Sequence, residues 1–243
     1  MKPFIPKQHG AWAMLVIPFV LGAMAGGWSW VHIPLGLGWL FLYLASYPLL
    51  MISKKRNKNR SKWVKWGMLY LLIALMMIMI VLYHDWKIIF FGLFILPFFL
   101  INMYFARQNN DRALMNDFSA IISFCIGSLA SYYVKGGWPE ELAWVIFMAS
   151  VLFFVGSTFY VKTMIREKNN EIYRFVSWTF HIVVVVGWMI FGEEIIALAF
   201  FPSLVRAIWM YGKKLSILKI GVLEIVNSVI FFIIMVIYIA LFV

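Results

Sequence analysis

Cysteine is almost absent from this chain, and the single Cys125 sits inside an apolar run. That excludes a disulfide scaffold and a thiolate metal cluster, and it makes Cys125 a small buried hydrophobe. Charge is scarce as well. Only 13% of the residues are charged, against 64% hydrophobic and 19% aromatic, and the mean hydropathy of +0.91 excludes a soluble domain. Acids are scarcer still, 10 against 21 Lys and Arg, and residues 52–66 carry no Asp or Glu at all. No glycine-rich nucleotide loop, nucleophile elbow or fixed-period repeat occurs, which removes the usual signatures of soluble nucleotide enzymes, serine hydrolases and repeat proteins. The first apolar run lacks an Ala-x-Ala cleavage site behind it, so it reads as a retained span and not as a signal peptide.

What remains is a sequence of long apolar runs. A spanning helix needs about 20 apolar residues, so 243 residues have room for about nine helices with short connections. The expected fold is all-α, a polytopic membrane helical bundle in a single integral membrane domain, residues 1–243. The spans fall at about 11–27, 31–52, 67–83, 88–105, 113–134, 142–162, 175–191, 195–211 and 220–243. In the first, Gly22 and Gly26 form a small-xxx-small pair that permits close helix approach. Cytoplasmic connections retain Lys and Arg. In this scheme 19 of the 21 basic residues share the side of the N-terminus, and only Lys87 and Lys135 take the other, together with Asp85, Glu140, Glu141, Glu193 and Glu194. The N-terminus is therefore expected inside and the C-terminus outside of a plasma membrane. The net charge of +11 is a topology signal that requires no nucleic-acid partner. Anionic lipid headgroups are plausible contacts for it.

Three inside segments concentrate the polar chemistry. The densest is residues 102–117, wedged between two spans. A helix through residues 109–117 would place Asn109, Asn110, Arg112, Asn116 and Asp117 within one arc of roughly 160°. The others are residues 7–9, with Lys7 and His9, and residues 160–174, with Tyr160, Lys162 and Arg166. Ionisable groups at a membrane edge are costly unless they face water, a partner or a ligand. The expected ligand-facing set is thus Lys7, His9, Asn102, Arg107, Asn109, Asn110, Arg112, Asn116, Asp117, Tyr160, Lys162 and Arg166, converging on one inner-face cavity. Competing readings stand beside it: a structural ion pair for Asp117 with Arg112, snorkelling for Lys162 and Arg166, and an interface anchor for His9. His181, Arg206 and Glu224 lie within spans, as structural polar groups or as coupling groups for a transported ion.

The segments 7–15, Lys-Gln-His-Gly-Ala-Trp-Ala-Met-Leu, 107–117, and 160–167, Tyr-Val-Lys-Thr-Met-Ile-Arg-Glu, together resemble the YwiC-like family of bacterial membrane proteins. The resemblance covers nearly the whole chain, implies a multi-pass bacterial membrane protein, and brings no reaction with it. In architecture the chain is more distantly similar to UbiA-type prenyltransferases. That likeness implies cytoplasmic motifs after spans two and six whose carboxylates hold Mg²⁺ and, through it, an isoprenoid diphosphate. Here the first such connection has no acid and the second has only Glu167 and Glu171, so neither Mg²⁺ nor another cofactor is expected. The expected function is binding of an isoprenoid or other anionic lipid on a UbiA-like scaffold. A small-molecule or ion-coupled transporter and a non-catalytic assembly protein are the alternatives.

Overall fold

The computed structural model describes residues 9–54, 60–168 and 170–242, apart from the side chain of His9. Among these residues the chain forms nine α-helices and no strand. They are α1 (His9–Gly26), α2 (His32–Ser53), α3 (Arg60–His84), α4 (Ile89–Arg107), α5 (Leu114–Gly136), α6 (Glu141–Ile165), α7 (Glu171–Ile190), α8 (Glu194–Trp209) and α9 (Ile217–Phe242). Seven of them, α2 to α7 and α9, are long and apolar enough to cross a membrane. The outward side chains of α3 include Met68, Leu72, Leu75, Met79 and Ile80, all exposed, a surface suited to lipid and costly in water. The protein is a helical, multi-pass membrane protein.

Helix ends overrun the apolar runs where charged residues continue the helical backbone. α3 starts at Arg60 and not near residue 67, because Arg60, Lys62 and Lys65 are good helix formers that need no apolar surroundings. At the other extreme α8 has 16 residues, about 24 Å at 1.5 Å per residue, short of a hydrocarbon core of about 30 Å.

The described residues divide into two compact units, one within residues 18–147, the other of residues 9–17 and within 148–242. In the first, α2 packs along α3, α4 along α5, and α2 also touches α4 and α5. α1 lies against α5 at two glycines. A Cβ on Gly22 would run into the backbone carbonyl of Ser128, and one on Gly26 into that of Tyr132, so the approach expected of this pair is realised. Polar ties hold the same region. Ser131 Oγ donates to the Phe19 carbonyl at 2.5 Å, and His32 Nε2–H donates to the Ser131 carbonyl at 2.9 Å. Val31, Val81, Ile88, Phe91, Ile126, Leu129 and Tyr133 fill the core beside them. Trp28, Trp30, Trp86 and Trp138 are exposed in the connections at this end, where amphipathic rings favour a membrane–water boundary.

In the second unit α8 packs between α7 and α9. Phe153 stacks on Phe231 with centroids 4.1 Å apart, and Phe200 meets Phe231 edge-on at 5.6 Å. Tyr160, Met164, Ala207 and Ile220 form a smaller cluster nearer the other helix ends. Between these apolar layers the interior turns polar.

Candidate functional site

The polar face imagined for residues 109–117 does not form. The chain turns through residues 108–113, Asn109 adopts φ 55°, and α5 begins only at Leu114. The stop is a C-terminal cap of α4: Asn110 N–H bonds the Phe105 carbonyl and Asn109 N–H the Ala106 carbonyl. An asparagine supplies the left-handed residue this needs. Asn109, Asn110 and Arg112 are consequently exposed in a turn. Asn102 and Asn116 are used in clamping it. Asn102 Nδ2 donates to both the Asn116 carbonyl and Asn116 Oδ1 at 2.8 Å, and Asn116 Nδ2 donates to the Asp111 carbonyl at 2.9 Å. Asp111 in turn pairs with Lys54 Nζ at 2.6 Å, fastening the turn to the end of α2. Asp117 lies in the first turn of α5, where a carboxylate suits the helix dipole.

Beside this turn the first unit has a groove of about 540 Å³ lined by Leu49, Ile52, Ser53, Arg60, Phe99, Met103 and Arg107. It lies where α2 ends, α3 begins and α4 ends. Four of the lining residues are apolar, Arg60 and Arg107 are exposed residues, and none of these lining residues is acidic. Arg107 belongs to the set expected from the sequence; Arg60 does not, lying within a run of seven bases in which nothing singles it out.

The second unit holds a different arrangement. Arg206 Nη1 donates to Glu224 Oε1 and Ser157 Oγ donates to Glu224 Oε2, so α8, α9 and α6 meet around one carboxylate. The Arg206 side chain is 7% exposed and that of Glu224 14%. Tyr160, fully buried, lies under the guanidinium with its ring centroid 4.1 Å from Cζ. His181 sits against α6 and donates Nδ1–H to the Ser177 carbonyl at 2.7 Å, which leaves neutral Nε2 as an acceptor. Further along α8 and α9, Asn227 Nδ2 donates to Ser203 Oγ at 2.9 Å. The Nε and Nη2 atoms of Arg206, the Tyr160 hydroxyl and His181 Nε2 are buried without a hydrogen-bond partner among the described residues. Native interiors rarely leave such groups unmet.

Tyr160 therefore faces Arg206, whereas the sequence grouping attached it to Lys162 and Arg166. Lys162 is buried and Arg166 exposed at the α6–α7 connection. That connection forms a shallow depression of about 530 Å³. There Glu167 accepts from Asn170 at 3.0 Å and Glu171 lies 3.6 Å from Arg174, so each acid has its own neighbour. Among the described residues no cluster of three His, Cys, Asp or Glu is placed to hold a metal ion. Of the expected ligand set, Lys7 and the His9 side chain lie outside the described residues. The residues from Asn102 to Asp117 belong to the first unit, and Tyr160, Lys162 and Arg166 to the second.

A sequence profile described as YwiC-like protein matches residues 5–132. The chain is 46% identical over 240 residues to the uncharacterized protein YwiC of Bacillus subtilis, spanning 98% of this chain and 99% of that one. The chain belongs to the YwiC-like family. Kinship reaches beyond one lineage: an uncharacterized protein of Haemophilus influenzae is 36% identical over 236 residues, covering 97% and 98% of the two chains. No solved structure matches. The likeness to these two relatives thus spans both units.

Proposed function

We propose that this YwiC-like protein binds the anionic headgroup of a membrane lipid, isoprenoid phosphates being of the same chemical class, at the groove where α2, α3 and α4 meet. The single observation that carries the reading is the lining: Leu49, Ile52, Phe99 and Met103 supply apolar surface, and Arg60 and Arg107, both exposed residues, line the same groove. A lipid phosphate matches two guanidinium groups and its chains match the apolar surface. Each charge-assisted contact contributes on the order of 1.5–3 kcal/mol, so two suffice for selective retention above a zwitterionic background. The proposed side is the cytoplasmic leaflet of a bacterial inner membrane, where positive connections and anionic lipid coincide. Since the lining residues include no carboxylate, the phosphate is held by arginine directly and not through Mg²⁺, as the likeness to UbiA-type enzymes would have it.

Native mass spectrometry of the protein in nanodiscs tests this. Phosphatidylglycerol should be retained over phosphatidylcholine, and Arg60→Gln with Arg107→Gln should lower that retention by at least about tenfold, which is about 1.4 kcal/mol and less than the loss of one such contact. EDTA and Glu167→Ala should change little. Equal retention of both lipids, or Mg²⁺-dependent retention abolished by Glu167→Ala, would refute the proposal.

A further inference from the structure

Arginine presents five N–H donors, and the edge formed by Nε and Nη2 is the fork that matches a carboxylate in a two-bond, planar fashion. In Arg206 the engagement runs the other way. Glu224 is met by Nη1, while Nε and Nη2 are buried with no partner among the described residues. A pair evolved only to neutralise two buried charges gains most by spending the fork on the carboxylate already present. Here Glu224 is instead drawn to the outer nitrogen and to Ser157 Oγ, and the Tyr160 ring supports the guanidinium face with its own buried hydroxyl unpartnered.

We propose that Arg206 and Tyr160 form an occluded binding site for a small monocarboxylate, which enters together with one proton. The fork of Arg206 takes the two carboxylate oxygens and the Tyr160 hydroxyl donates a further bond. The proton follows from charge. Arg206 and Glu224 cancel, so a bound anion would leave one uncompensated negative charge in a membrane interior, which is strongly unfavourable. A proton from solvent added to Glu224 turns the carboxylate into a carboxylic acid and restores neutrality: site plus RCOO⁻ plus H⁺ gives a neutral complex, with no other bond made or broken. A phosphate dianion would require two protons, and Glu224 supplies one place for them. The titratable groups that face the pair are Tyr160 from α6 and His181 from α7, the latter towards Arg206. His181 Nε2, an acceptor with no partner, can take a hydrogen bond but offers the anion none. The pair lies about one turn from the end of α8 and two turns into α9, and His181 lies deeper, halfway along α7.

The test is binding of radiolabelled acetate to the full-length protein in nanodiscs, measured at pH 5.5 and 7.5 with chloride holding ionic strength constant. Saturable binding should weaken about tenfold per pH unit once Glu224 must be protonated to admit the anion, the slope for uptake of one proton. Glu224→Gln, which keeps the shape and one acceptor oxygen for Arg206 Nη1 while its Nε2 can only donate to Ser157 Oγ, should bind acetate with no pH dependence over that range. Arg206→Lys keeps the charge but loses the fork and should bind at least tenfold more weakly; Tyr160→Phe should bind severalfold more weakly. Absence of saturable acetate binding to the wild type at both pH values would overturn the proposal. So would equal affinity at the two pH values, or an Arg206→Lys protein that binds like the wild type.

Discussion

At the scale of single residues, the most informative contacts join groups far apart in the chain. Asp85, in the connection between α3 and α4, accepts the Tyr133 hydroxyl at 2.5 Å. That bond, helped by the backbone and charge of Lys87 and by His84, holds the Asp85 carboxyl below the usual carboxylate range against its partial desolvation. A depressed folded-state value stabilises above the unfolded value, about 4, and the stabilisation is lost as pH falls through the folded value. Tyr133→Phe removes the largest cause and should cost about 1 kcal/mol, a charge-assisted bond discounted for its solvent-facing turn. Thermal unfolding in detergent between pH 3 and 7 checks this: the variant should differ from wild type at neutral pH and converge with it at the acid end. A constant difference across the range would show that the hydroxyl acts through packing alone. Arg206 and Glu224 were legible as intramembrane charges because each interrupts an apolar span. Their pairing was recoverable from depth, since consecutive antiparallel helices bring the end of one beside the start of the next. Ser157 and the placement of Tyr160 were not, because serine and tyrosine are common in spans for other reasons.

At the scale of elements, the helices were readable from apolar runs and charge, while the stretch at residues 109–113 was misread. Its polar density suggested a continuous helical face. The stretch is instead a capped turn, because Asn109 stops α4 and the asparagine side chains satisfy backbone groups of their neighbours. Asparagine-rich polarity at a helix end reads equally as ligand chemistry or as turn chemistry, and only geometry separates them. Close packing of α1 on α5 gives a sharper test. Gly22→Ala and Gly26→Ala would each press a methyl group on backbone that has no rotamer to yield, costing about 1–3 kcal/mol. Gly92→Ala, in α4 with nothing within 4 Å of the added carbon, should be neutral or slightly stabilising. Midpoints of thermal unfolding for the three variants should separate accordingly. A Gly22→Ala protein as stable as Gly92→Ala would mean that the two helices do not touch.

At the scale of the whole molecule, the functional readings depend on which way the chain faces, because the lipid site proposed at Arg60 and Arg107 requires an anionic cytoplasmic leaflet. Orientation rests on the uneven distribution of 19 and 2 basic residues and on nine helices among the described residues, seven of them of spanning length. The short α8 is the weakest link in the parity, since an element that failed to cross would place α9 the other way round. Thiol labelling in intact cells decides the matter most directly. In a Cys125→Ala background, a cysteine at Gly137 should react with an impermeant reagent, and one at Asn57 should react only after the membrane is opened. Labelling of Asn57→Cys in intact cells, with Gly137→Cys shielded, would contradict the account by placing the basic connections and the arginine-lined groove on the outer face.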